Sequence, residues 1–319
     1  MIWASFQSFG HNMWSDVPVS SWGRNNGEDP EGLSEICAAD SFRFDEKLWR
    51  RLTVRLRETG VDTIVMDVGE GLVYPSHPEL GVRGSWSAER LNAEVKRLAA
   101  MGFRVVPKLN FSTSHDTWLK DYGRMVSSRV YYRVVQDVLG DVYEVFDRPE
   151  YIHLGYDEET HSNQTKYSMS IVRNGELWWR DFFFIAGVVE KLGARAWIWA
   201  DYCWHHKEEF LRRMPKSVLL SNWYYGAEFD IAKLKSAYHR PQLQAFFDLD
   251  KAGFEQVPCG SSINTDANFP GLVRFSRENI TPSLLKGFMM AAWCGPTVER
   301  NAARHLHAAD IIAGARTMT

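Results

Sequence analysis

The sequence predicts an α/β fold, a single (β/α)8 TIM barrel over residues 1–319. Three observations carry this reading. Apolar runs of strand length alternate with helical patterns along the chain, and such alternation selects a parallel sheet. The strand segments are continuous apolar runs, as strands buried on both faces require. Eight such strands can be read, and eight select a closed barrel over an open doubly wound sheet.

Residues 2–7 alternate apolar and small side chains and form the first strand. A long loop, 8–41, follows, rich in Gly, Asn, Ser and Trp; loops of such length inside a compact domain are usually functional. Leu48, Leu52 and Leu56 stand at helical spacing, so 44–59 is a helix with Gly60 as its stop. The second strand, 61–68, carries Asp67 at its end, with Glu70 in the loop beyond. Ser87 is the N-cap of a helix reaching residue 100; Glu89 suits its first turn, and Arg90 stands where a capping box would place Glu or Gln. Gly102 stops that helix, 103–111 is the third strand, and 112–118 is a polar loop. A helix over 125–146 leads to the fourth strand.

That strand holds Ile152 and Leu154 behind the breaker Pro149, and it runs into Asp157, Glu158 and Glu159. Barrels build active sites from the loops at the carboxyl ends of their strands. Three adjacent carboxylates repel one another unless something uses them; a solvated helix cap is the plainer alternative. A helix over 177–192 ends at Gly193, and the fifth strand, 195–200, ends at Asp201. The sixth strand, 218–223, runs into Asn222, Trp223 and Tyr224. A helical stretch near 243–252 precedes the seventh strand, 254–261; 287–293 is the eighth, and 297–313 closes as a helix.

Composition narrows the function. The chain is 45% hydrophobic and 24% charged with net charge -3, and no Lys/Arg block runs along it, which argues against nucleic acid and membrane as partners. No apolar run is long enough to span a bilayer. No basic segment opens the chain, so no signal peptide is visible; a cytoplasmic location is the default expectation, and a trimmed exported protein would read the same. Cys37, Cys203, Cys259 and Cys294 have no C-x-x-C spacing and read as buried free thiols. The absence of G-x-G-x-x-G and of a P-loop removes dinucleotide and nucleotide cofactors. His205 and His206 lack zinc-ligand spacing, so no metal site is expected.

Thirteen tryptophans are many for this length, and Trp86, Trp118, Trp199, Trp204, Trp223 and Trp293 fall near strand ends. The predicted carboxyl-end face also collects Gln7, His11, Asp67, Glu70, Asn110, His115, Asp157, Glu158, Asp201, Ser261 and Asn264. Carboxylates supply acid–base chemistry, amides bind hydroxyls, and indoles cover apolar ring faces. The face therefore fits a carbohydrate substrate. Each residue has a plainer role open to it: His115 in a solvated loop, Asp67 capping a turn, the tryptophans in the core.

His153-Leu-Gly-Tyr-Asp157-Glu158 resembles the His-x-Gly-Gly-Asp-Glu motif of glycoside hydrolase family 20, the β-N-acetylhexosaminidases, where it also ends the fourth strand of a (β/α)8 barrel. The resemblance implies Glu158 as the general acid and Asp157 as the partner of the substrate's 2-acetamido group, which itself attacks the anomeric carbon. It implies His153 as electrostatic support and Trp199, Trp223, Tyr224 and Trp293 as walls of the acetamido pocket. Tyr156 replaces the motif's second Gly, and the first strand offers Gln7 where the family offers Arg; the first arginine is Arg24.

Successive strand side chains point to opposite faces, so Asp157 and Glu158 converge on one ligand only if the backbone turns, which Gly155 allows. A nucleophile from the protein would need a second carboxylate about 5–5.5 Å away; Asp201 and Asp67 are the candidates. A sugar-binding barrel without hydrolysis is the reading from another functional class.

Overall fold

In the computed structural model, which describes residues 1–17, 35–165 and 167–317, all strand pairs are parallel. The strands are β1 (Ile2–Ser8), β2 (Thr63–Asp67), β3 (Arg104–Lys108), β4 (Tyr151–His153), β5 (Arg195–Trp199), β6 (Leu219–Ser221), β7 (Cys259–Gly260) and β8 (Gly287–Ala291). They follow the order β6-β5-β4-β3-β2-β1-β8-β7. The two ends of that order are sewn together by Val257 N–H to Leu220 O (2.8 Å) and Cys259 N–H to Asn222 O (2.9 Å), which closes the barrel. Residues 18–34 of the long loop after β1, Arg24 among them, lie outside the described residues.

Side chains alternate between two apolar compartments. Ala4, Phe6, Val65, Val106, Trp197, Leu219 and Met289 fill the barrel interior. Trp3, Ile64, Met66, Val105, Ile152, Ile198 and Phe288 pack outward against the helices. Register sets one polar level near the top of the barrel: Ser8 lies opposite Asp67, Asp67 opposite Lys108, and Lys108 opposite His153.

The helices are α1 (Glu46–Glu58), α2 (Ala88–Ala100), α3 (Arg129–Val145), α4 (Glu176–Leu192), α5 (Tyr202–His205), α6 (Lys207–Arg213), α7 (His239–Lys251), α8 (Asn268–Asn279) and α9 (Ala302–Arg316). The starts of α1, α2 and α3 follow capping chemistry. Asp45 accepts from Lys47 N and Leu48 N, Ser87 from Arg90 N, and Ser128 from Tyr131 N. These caps satisfy N–H groups that a helix leaves unpaired.

Two helix starts and three further helices differ from the sequence reading. α3 begins at its Ser128 cap, because 117–125 is a 3-10 stretch with Lys120 at φ 52. α9 begins at Ala302, because Thr297 is engaged elsewhere: its carbonyl accepts Asp45 N–H (2.7 Å) and its hydroxyl donates to Ser8 O (3.0 Å). Helices α5, α6 and α8 were not predicted. The polar run before α8 and its Pro270 masked that helix, yet a proline in the first turn removes no intrahelical bond. The four cysteines are free thiols, with Cys37 half-buried and the other three buried. No helix of the described residues is long and apolar enough to cross a membrane.

Gly287 opens β8 where a Cβ would stand 2.2 Å from Ile2 O. Gly287→Ala is therefore expected to push β8 from β1 and cost at least about 1–3 kcal/mol, read as a fall in urea midpoint against the parent.

Candidate active site

The carboxyl ends of the strands open into a cavity of about 370 Å3. Its chemistry is organised by the turn after β4. Gly155, Tyr156 and Glu158 all have positive φ, at 72°, 71° and 56°. At Gly155 no side chain fits, since a Cβ would lie 1.9 Å from Asn110 Oδ1. Asn110, just past β3, fills that space. Its Oδ1 accepts Ser112 N–H (3.0 Å) and Tyr156 N–H (3.3 Å), while its Nδ2 donates to Asp157 Oδ1 (2.8 Å). Ser112 Oγ donates to Asp157 O, and Ser114 Oγ to Glu158 O (2.7 Å).

This turn sends the three acids to three environments. Glu159 faces the protein, where Arg173 binds both of its oxygens at 2.8 and 2.6 Å. Arg173 also reaches Asp181 (3.2 Å) and Phe111 O (2.6 Å), and the whole network is buried. Asp157 is 8% exposed and lines the cavity. The Glu158 side chain, 35% exposed, lines the same cavity. Tyr156 is tolerated at positive φ because its ring is buried, edge-on to Trp178 and Phe182 and 5.2 Å from the Arg173 guanidinium. Packing of this kind holds a backbone strain of about 1–3 kcal/mol in place.

His115 stands between the two cavity acids, its Nε2 3.4 Å from Asp157 Oδ2 and 3.3 Å from Glu158 Oε2. Burial works against the imidazolium, but the two carboxylates outweigh it and raise the His115 pKa. Asp201 accepts Glu158 N–H at Oδ2 (2.8 Å), and its Oδ1 lies 3.4 Å from Trp223 Nε1. Burial, with the charges of Asp157 and Glu158, pushes the Asp201 carboxyl up to about 8. Asp201 thus supports the turn from behind and is not in the cavity wall.

Asp67 and His153 also lie behind the wall. Asp67 is ion-paired with Lys108, and Lys108 lines the cavity. Burial pushes the Asp67 carboxyl up, with Lys108 opposing. His153 Nδ1 accepts Gly155 N–H (3.1 Å), and its ring lies edge-on to Trp199. Burial, then the Lys108 charge, holds His153 well below its ordinary pKa, so it is neutral.

Trp199, Trp223 and Trp293 line the cavity, as do Asn110, His115, His11 and Asn264. Tyr224, predicted for the wall, is turned away: its hydroxyl donates to Glu228 O and its ring meets Phe229 and His239. Tyr225 takes its place, stacked on Trp223 at 5.0 Å and accepting Trp293 Nε1 at 3.0 Å. Trp223 and Tyr225 are two apart and share a side, so period-two alternation beyond β6 would have found Tyr225. Trp86 and Trp118 pack in the core, and Trp204 backs Trp223. Gln7 donates its amide to Ser5 Oγ, and Glu70 accepts the backbone N–H groups of His11 and Asn12; neither lines the cavity. Asn222 donates to Gln242 O, and Ser261 Oγ accepts Ile263 N–H, so both serve loop structure. Among the described residues no cluster of three or more His, Cys, Asp or Glu could hold a metal ion.

No protein-family model and no curated protein matches the chain in sequence. Its likeness to solved structures is one of fold. A β-N-acetylhexosaminidase from Bacteroides fragilis aligns with TM-score 0.61 at 16% identity, over 97% of this chain and 65% of that one. Dispersin B aligns at 0.57 and 12%, over 86% of this chain and 95% of that protein. Another β-N-acetylhexosaminidase aligns at 0.64 and 15%, over 87% and 69%. The chain therefore spans less than two thirds of the Bacteroides fragilis protein and nearly the full length of Dispersin B.

A carboxyl whose pKa is raised on folding stabilises the native state at low pH, and that stability drains as pH climbs from its unfolded value through the folded one. For Asp201 the window runs from about 4 to about 8. Asp201→Asn keeps an acceptor for Glu158 N–H and cannot ionise. Its melting temperature relative to the parent should rise between pH 5 and pH 8 and level off above that; a difference independent of pH would contradict the assignment.

Proposed function

We propose that the chain is a glycoside hydrolase that removes terminal β-linked N-acetylhexosamine by a substrate-assisted, retaining mechanism. The observation that carries this is the divergence of two adjacent carboxylates in one cavity. Asp157 is buried and held by Asn110 and His115, while Glu158 stays a third exposed on a strained turn. Carboxylates in unlike environments take unlike roles. Aromatic walls from Trp199, Trp223, Tyr225 and Trp293 suit a sugar ring. The named β-N-acetylhexosaminidases of like fold support the same reading.

In this mechanism the acetamide oxygen of the substrate attacks the anomeric carbon as the glycosidic bond breaks. Glu158 gives its proton to the departing oxygen. Asp157 accepts a hydrogen bond from the acetamide N–H and balances the positive charge of the oxazolinium that forms. Water, deprotonated by Glu158, then opens the ring from the same face, and configuration is retained. The competing protein nucleophiles fit less well. A nucleophile must be ionised, and Asp201 is pushed up to about 8 behind the wall. Asp67 is buried against Lys108.

Glu158→Gln should lose about 10²–10⁴ in kcat on substrates with poor leaving groups, and less on an activated aryl glycoside. The assay panel is aryl N-acetylglucosaminide, N-acetylgalactosaminide, glucoside and galactoside. Turnover confined to the acetamido sugars is the expected result; cleavage of natural-type glycosides by Glu158→Gln at the parent rate removes Glu158 from its role.

Asp157→Asn should slow acetamido substrates strongly and weaken binding of an oxazoline-mimicking thiazoline, which inhibits the parent. A 2-fluoro sugar that labels Asp201 or Asp67, seen by peptide mass spectrometry, with no thiazoline inhibition, would replace this mechanism by one with a protein nucleophile.

A further inference from the structure

One buried cation of the cavity wall has no part in the mechanism above. Lys108 ends β3, its side chain is 1% exposed, and it lines the cavity. An ammonium has three N–H donors. Among the described residues, the single hydrogen-bond acceptor of Lys108 Nζ is Asp67 Oδ2. The Phe6 ring, 5.3 Å away, offers only its π face. His153, the neighbour across the ladder, takes no donor: its Nδ1 already accepts Gly155 N–H, and its Nε2 is unpartnered. A desolvated ammonium with donors unspent is costly. The open side of Lys108 is the cavity, so the acceptors it lacks are those a ligand brings.

We propose that Lys108, braced by Asp67, is a specificity-determining binding residue that donates to a hydroxyl oxygen of the bound sugar ring. The proposal rests on the carbohydrate reading of this cavity and names the group that Lys108 reads. That group is a neutral hydroxyl. Asp67 already balances the ammonium, so Lys108 brings no uncompensated charge to the cavity. A sulfate or carboxylate substituent would find no free cation in Lys108. A hydroxyl both accepts and donates: it takes the Lys108 N–H and leaves its own proton for a carboxylate of the wall. The position is rigid, because Lys108 closes a strand, pairs with Asp67 and lies over Phe6. Gln7, the polar side chain near the end of β1, spends its amide on Ser5 and offers the cavity nothing in its stead.

The test is calorimetric binding of N-acetylglucosamine and its 3-, 4- and 6-deoxy analogues to the parent, to Lys108→Met, and to the charge-balanced double variant Asp67→Asn/Lys108→Met. Kinetics on the aryl glycosides run alongside, and thermal melts establish folding. Both variants should bind the full sugar about 10- to 100-fold more weakly. One deoxy analogue should bind the parent as weakly as it binds the variants, because the hydroxyl read by Lys108 is gone. KM should rise with kcat little changed. A variant that loses the same factor against every analogue, or loses nothing, overturns the proposal. So does a parent that binds all the deoxy sugars as well as the full one, a result that needs no variant to fold. A parent that cleaves no N-acetylhexosaminide but binds with this hydroxyl dependence leaves Lys108 in place and removes the hydrolase reading; a parent that binds none of these sugars removes both.

Discussion

The side chain of Asn110 is the constraint on which the site depends. It belongs to the loop after β3, yet it holds the turn after β4 through Tyr156 N–H and Asp157 Oδ1. Backbone bonds from Leu109 N to His153 O and from Phe111 N to Leu154 O bring the two strand ends together for it. The amide occupies the space a Cβ at residue 155 would need, so Gly155 and Asn110 require each other. Without that turn, Asp157 and Glu158 would alternate to opposite sides as strand residues do. With it, both line one cavity.

Three adjacent carboxylates raise an electrostatic problem that the fold solves by separating them. Glu159 is neutralised by Arg173 in the protein interior, where an unpaired charge would be costly. Arg173 in turn bonds Phe111 O, so the ion pair also ties the turn to the loop after β3. His115 lies between Asp157 and Glu158, whose charges raise its pKa. Asp201 supplies an acceptor to Glu158 N–H at the point of strain. Each partner comes from a different strand end or loop, and the adjacency of β3, β4 and β5 in the sheet brings those ends to one place.

The barrel was legible because alternating apolar runs and helical spacings are local signals, and the acid stretch was legible because three carboxylates at a strand end stand out. Tyr224 was misplaced because strand alternation continues past β6: Trp223 and Tyr225 face the cavity, and Tyr224 between them faces away. Lys108 was passed over because a lysine within an apolar strand reads as surface from sequence alone; its burial follows from the register that sets it against Asp67. The roles of Asp67 and His153 as supports behind the wall are likewise set by register, which no local pattern encodes. Helix α8 was hidden by its own first turn, where Pro270 reads as a breaker.

Residue type alone does not sort the acids of this face; their surroundings do. Asp157 and Asp201 are the same side chain, both buried and both within one bond of the Glu158 turn. Asp157 receives an amide N–H and the His115 ring and borders the cavity. Asp201 receives one backbone N–H, stands behind Trp223, and carries the repulsion of both its neighbours. The first environment sets a carboxyl group against the cavity; the second favours a neutral acid that holds a turn in place. Asp67 is a third case: also behind the wall, it is ion-paired with Lys108, the residue it serves. The cavity is therefore layered. Side chains that line the cavity stand in front, and Asp157 and Lys108 are held by the buried Asn110 and Asp67 from neighbouring strand ends, so that strand register decides which acid borders the cavity and which stands behind it.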